Sequence, residues 1–254
     1  TRLAGNRAGL VVLATGLGKT WLAAFDAARR TPDNSLEFPR ILFVAHRDEI
    51  LQQSMRTFRK IRPESSCARY EGSIPQGQLD RIDMLFASVQ TLGRVEHLRR
   101  FQPDAFDYIV IDEFHHAAAP TYRRLIDHFD PRFLLGLTAT PERTDGGDLL
   151  GLCQENLVYR CDLVRGIQEK LLSPFEYFGV PDRIDYTNIP WRSKRFDEAA
   201  LTSAVSTYAR AQNALEQLQR VGAKRTIGFC CSQDRKSTRL NSSHSSVSRM
   251  PSSA

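Results

Sequence analysis

Five short apolar runs recur along this chain: Leu10–Ala14 (LVVLA), Ile41–Ala45 (ILFVA), Met84–Ala87 (MLFA), Tyr108–Ile111 (YIVI) and Phe133–Leu137 (FLLGL). Runs this short, apolar and rich in β-branched or bulky residues read as strands buried on both faces, as in a parallel sheet. Helical patterns fall between them. Leu22, Phe25 and Ala28 lie at helical spacing within Thr20–Arg30, and further helices are predicted over Asp48–Lys60 and Thr121–Phe129. Strands alternating with helices predict an α/β fold with a doubly wound, mostly parallel sheet. Ligands of such sheets gather beyond the carboxyl ends of the strands. The informative residues are therefore expected just after each apolar run.

After the first run comes Thr15-Gly16-Leu17-Gly18-Lys19-Thr20. Two glycines can take positive φ there and leave room for a ligand against bare backbone. Backbone N–H groups of the loop, together with the helix N-terminus, form an anion cradle. In that reading Lys19 reaches the β- and γ-phosphates of a nucleotide and the Thr20 hydroxyl ligates Mg²⁺. The strict phosphate-loop pattern has a further glycine where Leu13 stands. The bland alternative is a glycine turn joining strand to helix, with Lys19 merely solvated.

After Tyr108–Ile111 comes Asp112-Glu113-Phe114-His115-His116. Buried carboxylates without a partner are costly, so an acidic pair at the end of a buried strand makes sense opposite a cation. Asp112 would hold Mg²⁺ and Glu113 would polarise an attacking water. The alternative is a pair of residues capping the next helix. His115 and His116 are adjacent and lack the i, i+4 spacing that places two imidazoles on one helical face, so zinc is not expected. His115 reads instead as a polar relay near the γ-phosphate, and His116 as a helix-start residue.

After Phe133–Leu137 comes Thr138-Ala139-Thr140-Pro141. Its hydroxyls are expected to hydrogen-bond acidic residues of the neighbouring strand, although taken alone it is an ordinary turn. His46-Arg47-Asp48-Glu49 follows the second run and Ser88-Val89-Gln90-Thr91 the third. Either could be a plain helix cap, or could contact a sugar-phosphate backbone without reading bases.

Composition adds little. The formal charge of +6 suggests a polyanionic partner, but four basic residues and one acidic residue lie in 234–254, leaving +3 for the rest. The five cysteines (Cys67, Cys153, Cys161, Cys230, Cys231) form no C-x-x-C pair. Such a count suits a reduced interior, hence a cytoplasmic expectation, and no run approaches the length of a membrane span.

In order, ATGLGKT, VAHRDEI, ASVQTL, VIDEFHH and GLTATPER resemble motifs I, Ia, Ib/Ic, II and III of superfamily 2 helicases of the DExH type (the DEAD/DEAH box group). The likeness is strong over residues 9–145 and is especially close to motor subunits of restriction enzymes. It implies a RecA-like P-loop NTPase domain that uses ATP and Mg²⁺ to drive movement along nucleic acid, DNA above all. Thr15, Gly16, Leu17, Gly18, Lys19 and Thr20 would bind the nucleotide. Thr20 and Asp112 would hold Mg²⁺, and Lys19, Asp112, Glu113 and His115 would form the catalytic set. His115, Thr138, Ala139 and Thr140 would couple hydrolysis to movement, while His46, Arg47, Ser88, Gln90 and Thr91 would line the strand path. A small-molecule P-loop kinase would be expected to have glycine at Leu13 and gives no role to HRDE or SVQT. A non-catalytic nucleotide-binding module gives none to Glu113. DNA translocation without strand separation, and RNA in place of DNA, stay open.

The same resemblance divides the chain. Residues 1–172 are expected to form the first RecA-like domain, lacking its own N-terminal segment, since Thr1 lies almost at once before a core strand. Residues 173–233 are expected to hold a linker and the start of a truncated second RecA-like domain, whose motif IV strand is RTIGFCCS at 225–232. The last 18 residues hold eight serines and no apolar period, a disordered composition. Asp234 to His244 back-translates to a string resembling a common sequencing adapter, so 234–254 is expected to be an assembly artefact. The chain is then expected to be a fragment, to bind Mg-nucleotide weakly and to lack hydrolysis.

Overall fold

Each of the five apolar runs is a strand in the structure, a computed structural model that describes residues 5–140, 149–181, 185–192, 195–222 and 225–228. They are β1 (Ala8–Leu13), β2 (Ile41–Ala45), β4 (Met84–Ser88), β5 (Tyr108–Ile111) and β6 (Phe133–Thr138). Two more, β3 (Cys67–Tyr70) and β7 (Leu157–Cys161), complete a seven-stranded sheet ordered β3-β4-β2-β5-β6-β1-β7. Every pairing in it is parallel.

Both added strands are edges, and that is why no apolar run announces them. In β7 the first four residues are exposed and only Cys161 is buried; in β3 only Tyr70 is buried. A strand paired on one side and half in water carries little apolar demand.

Successive side chains of a strand face opposite ways, and the core divides accordingly. Leu42, Val44, Ile109 and Ile111 pack on one face with Leu125 and Phe129. Ile41, Phe43, Tyr108 and Val110 pack on the other with Leu51 and Phe58. On that second face Phe43, Phe58 and Phe86 interlock with ring centroids 5.5–5.6 Å apart.

The helices of this unit are α1 (Lys19–Ala27), α2 (Asp48–Ile61), α3 (Gln76–Leu79), α4 (Val89–Leu92), α5 (Val95–Leu98), α6 (Pro120–His128), α7 (Leu149–Leu152) and α8 (Leu163–Gln168). Asp48 and Glu49 in the first turn of α2, with Arg59 and Lys60 in its last, complement the helix dipole. Pro120 opens α6 at a position where its missing N–H costs nothing. No described helix is long and apolar enough to cross a membrane.

The chain divides into two units, Thr1–Phe175 and Glu176–Ala254. In the second, β8 (Trp191–Arg192) pairs antiparallel with β9 (Arg195–Phe196), and α9 (Glu198–Val205) and α10 (Tyr208–Val221) follow. No described residue of α10 is buried. Residues 225–228, the start of the expected motif IV strand, are in no strand, having no partner strand among the described residues. Residues 229–232, Pro141, Cys230, Cys231 and the serine-rich 234–254 lie outside the described residues.

Candidate active site

The strand order decides which loops meet. From β1 the chain crosses to β2, β3 and β4 on one side, then returns with β5 and β6 between β2 and β1. The loops after β5, β6 and β1 are thereby neighbours, as are those after β4 and β2.

In the loop after β1, Gly16 (φ 93°) and Gly18 (φ 81°) both take the left-handed region. Gly18 caps α1 with no side-chain hydrogen bond, so the first N–H groups of the helix keep their donors for a ligand. Leu17 packs against the core, and Thr15 and Gly16 are exposed. Lys19 Nζ donates to the Leu13 carbonyl oxygen at 3.0 Å. Leu13, standing where the strict pattern has glycine, closes β1 with its side chain in the core. It is needed there for packing, while its carbonyl holds the lysine.

Asp112 is 6% exposed. Burial pushes its carboxyl up to about 6; the Glu113 charge pushes the same way, while the Glu113 N–H (2.9 Å) and the Lys19 ammonium oppose it. A buried carboxylate held this far from its ordinary range is well matched to a cation. Glu113 has φ 52° and ψ 46°, a left-handed backbone for a residue with a side chain. Such conformations cost of the order of 1–3 kcal/mol and persist at functional sites where the surroundings enforce them.

The enforcement is visible next door. Phe114 is fully buried and lies over Gly136 of β6, where a methyl group would meet the ring at 2.7 Å. His115 Nδ1 lies 3.2 Å from Glu113 Oε2 and 3.2 Å from Thr138 Oγ1. The Thr138 hydroxyl, fully buried, donates to the Thr140 carbonyl oxygen (3.0 Å) and accepts from the Thr140 N–H (3.2 Å). With its one hydrogen so used it can only accept from His115, which assigns the proton to Nδ1. The Thr138 hydroxyl, suited by its place to acidic residues of the neighbouring strand, is linked to Glu113 through His115, while the Asp112 carboxylate accepts from the Glu113 N–H. Ala139 is half-buried within this turn.

The second pair of loops is more open. Gln90 Nε2 donates to the His46 carbonyl oxygen at 3.1 Å, tying the loop after β4 to that after β2. Arg47, exposed, donates from Nε to His46 Nε2 at 3.0 Å. Ser88 is the N-cap of α4: its Oγ accepts from the Thr91 N–H (3.1 Å) and donates to Thr91 Oγ1 (2.9 Å). The capping alternative therefore holds for Ser88, and Thr91 serves the same cap.

Two neighbours of the site, Gly136 and Tyr122, went unread in the sequence, and His116, read as a helix-start residue, instead ends the 3-10 turn Phe114–His116. Gly136 seats Phe114, and a lone glycine in an apolar strand is a signal for such close approach. His116 is exposed, with its ring 5.7 Å from that of His46. Tyr122 on α6 is 4% exposed, with a hydroxyl that burial and the Asp112 and Glu113 charges push further towards the neutral form. Tyr122 carries no sequence signal.

The family described as type III restriction enzyme, res subunit, matches residues 2–143. A protein of Saccharomyces cerevisiae named as the ATP-dependent helicase IRC3 is 28% identical over 207 residues, covering 78% of this chain and 29% of the relative. The EcoAI endonuclease subunit, a type I restriction enzyme of Escherichia coli, is 30% identical over 74% of this chain and 23% of its own. The chain thus spans under a third of the length of these relatives. Among solved structures, a fragment of an HsdR subunit of a type I restriction enzyme from Vibrio vulnificus aligns with TM-score 0.57 and 25% identity, over 90% of this chain and 39% of that one. The Pyrococcus furiosus Hef helicase domain aligns with TM-score 0.51 at 24% identity, over 61% and 35%. The parallel sheet is that of these RecA-like neighbours.

Proposed function

The chain belongs to the type III restriction enzyme res-subunit family, and from that premise we propose that it carries the first RecA-like domain of an ATP-driven motor that moves along DNA. One observation supports this most. At the carboxyl end of β1, β5 and β6 a lysine-bearing glycine loop, a buried aspartate, a backbone-constrained glutamate and a Glu113–His115–Thr138 bridge come together. Residues 1–172 form that domain and 173–233 open the next.

The residues present fit a magnesium nucleotide. Gly16, Gly18 and the uncapped start of α1 offer N–H groups to phosphate, with Lys19 as the positive charge. Thr20 and Asp112 would hold Mg²⁺, which when bound neutralises charge on the β- and γ-phosphates. Glu113 orients the attacking water and accepts its proton. His115 carries the position of Glu113 to Thr138, and so to the turn through Ala139 and Thr140. His46, Arg47, Ser88, Gln90 and Thr91 line the strand path; Arg47 and Gln90 offer exposed donors to its backbone without reading sequence, while the Ser88 and Thr91 hydroxyls serve the cap of α4.

The test is ATP turnover by the full-length protein with and without DNA of unrelated sequences, and with RNA. DNA should raise turnover whatever its sequence. Stimulation by RNA alone would turn the assignment to an RNA helicase, and none by either would remove the motor.

A further inference from the structure

The two groups of loops meet at an exposed side chain, His116. Its ring lies edge-to-face with His46 at 5.7 Å between centroids, 4.1 Å from the ring of His115, and 6.4 Å from Tyr122. His115 in turn holds Glu113. His116 closes the single 3-10 turn Phe114–His116, whose preceding residue is the left-handed Glu113. His116 therefore borders the turn that carries Glu113, while Phe114 on Gly136 seats that turn without it. Tyr122, anchored in the core, and Phe114, seated on Gly136, bound two sides of that turn.

The His46 ring is incompletely satisfied where it lies. Its Nε2 accepts from Arg47, which leaves the proton on Nδ1, and Nδ1 is buried with no hydrogen-bond partner. An unsatisfied buried donor costs about 1–3 kcal/mol, and against that cost stand the Arg47 bond to the ring, the Gln90 bond to the His46 carbonyl and the contact with the His116 ring. Arg47 and Gln90 are exposed donors, and those are what a phosphate would draw away.

We propose that the ring contact between His46 and His116 is a positioning relay, through which a nucleic-acid backbone engaging Arg47 and Gln90 resets the turn carrying Glu113. This rests on the motor reading above and adds a route separate from the His115–Thr138 bridge. His116 touches neither strand nor nucleotide in this scheme; it acts through Glu113.

The experiment compares wild type, His116→Ala and His116→Phe of the full-length protein, measuring ATP turnover without DNA, the plateau with saturating DNA, and the DNA Kd. Circular dichroism and Mg-ATP binding check that each variant folds. In His116→Ala, turnover without DNA and the Kd should stay within about twofold, while DNA stimulation falls about tenfold, the scale of a typical coupling energy. Phe keeps the ring and should restore most of the stimulation. Full stimulation in His116→Ala would overturn the relay and leave the motor reading intact. So would a weakened Kd at an unchanged plateau, which makes His116 a strand contact, or equal loss with and without DNA, which makes it scaffold. Wild-type turnover indifferent to DNA would overturn the motor reading first.

Discussion

The loops after β5, β6 and β1 and those after β2 and β4 occupy the same edge of one sheet, yet they are built in opposite ways. In the first group Asp112 and Thr138 are buried, and the bonds run between strands, from Glu113 through His115 to Thr138. In the second, Arg47 and Gln90 are exposed; Arg47 bonds the adjacent His46 and Ser88 its own helix, and the bond from Gln90 to the His46 carbonyl crosses between the loops. Groups that must meet a reacting phosphate gain from being fixed beforehand, because reorganisation during reaction is costly. In the proposed motor, groups that would grip a passing backbone need only be available, since phosphate contacts position without specifying. Buried, bridged side chains against exposed donors is the physical difference.

The largest expected effect lies in the fixed group. Lys19→Ala should lower ATP turnover at least about a hundredfold, by removal of a preorganised charge. Glu113→Gln should lower it similarly while Mg-ATP binding persists, since Asp112 is untouched. Normal turnover in either variant, measured by phosphate release, would dissolve the contrast between the two groups of loops.

Next comes the stability cost of that preorganisation. The Asp112 carboxyl is raised from 3.8 to about 6 in the folded chain, chiefly by burial. A raised acid favours the fold below its unfolded pKa and forfeits that advantage as pH rises through the folded value. Asp112→Asn does not titrate, so in EDTA it should be more stable than wild type by roughly 2–3 kcal/mol at pH 7.5. The gain should shrink between pH 6 and 4 and vanish below. Urea melts across that range decide it, and a gain independent of pH would mean that the carboxylate is not held at a cost.

Gly136→Ala should destabilise by about 1–3 kcal/mol through overpacking against Phe114, and should slow turnover more than that loss explains, because Phe114 adjoins Glu113. Thermal melting beside kinetics on the folded fraction separates the two effects. Smallest are the changes in the open group. Arg47→Ala should leave stability unaltered and lower the slope of log affinity against log salt by about one phosphate. Ser88→Ala should cost about 1 kcal/mol of stability as a lost cap. Should Ser88→Ala instead weaken DNA binding alone, its hydroxyl belongs to the track rather than the helix.

The five inner strands could be read from the residues because each is covered on both faces, and burial on both faces demands an unbroken apolar run. The same demand made the polar residues after each run conspicuous, so Lys19, Asp112, Glu113, Thr138 and the His46 and Ser88 segments were all visible. β3 and β7 escaped notice, being edges with water on one side. Only the tertiary structure set the order in which strands lie side by side, and with it the meeting of residues 19, 112 and 138 from three distant segments. It also set the left-handed backbone of Glu113, the partner of Thr138 and the place of His116 between two loops. Apolar periodicity reports how much of a segment is buried. Which buried segment adjoins which is decided by packing across the whole sheet, and that is where the proposed chemistry is assembled.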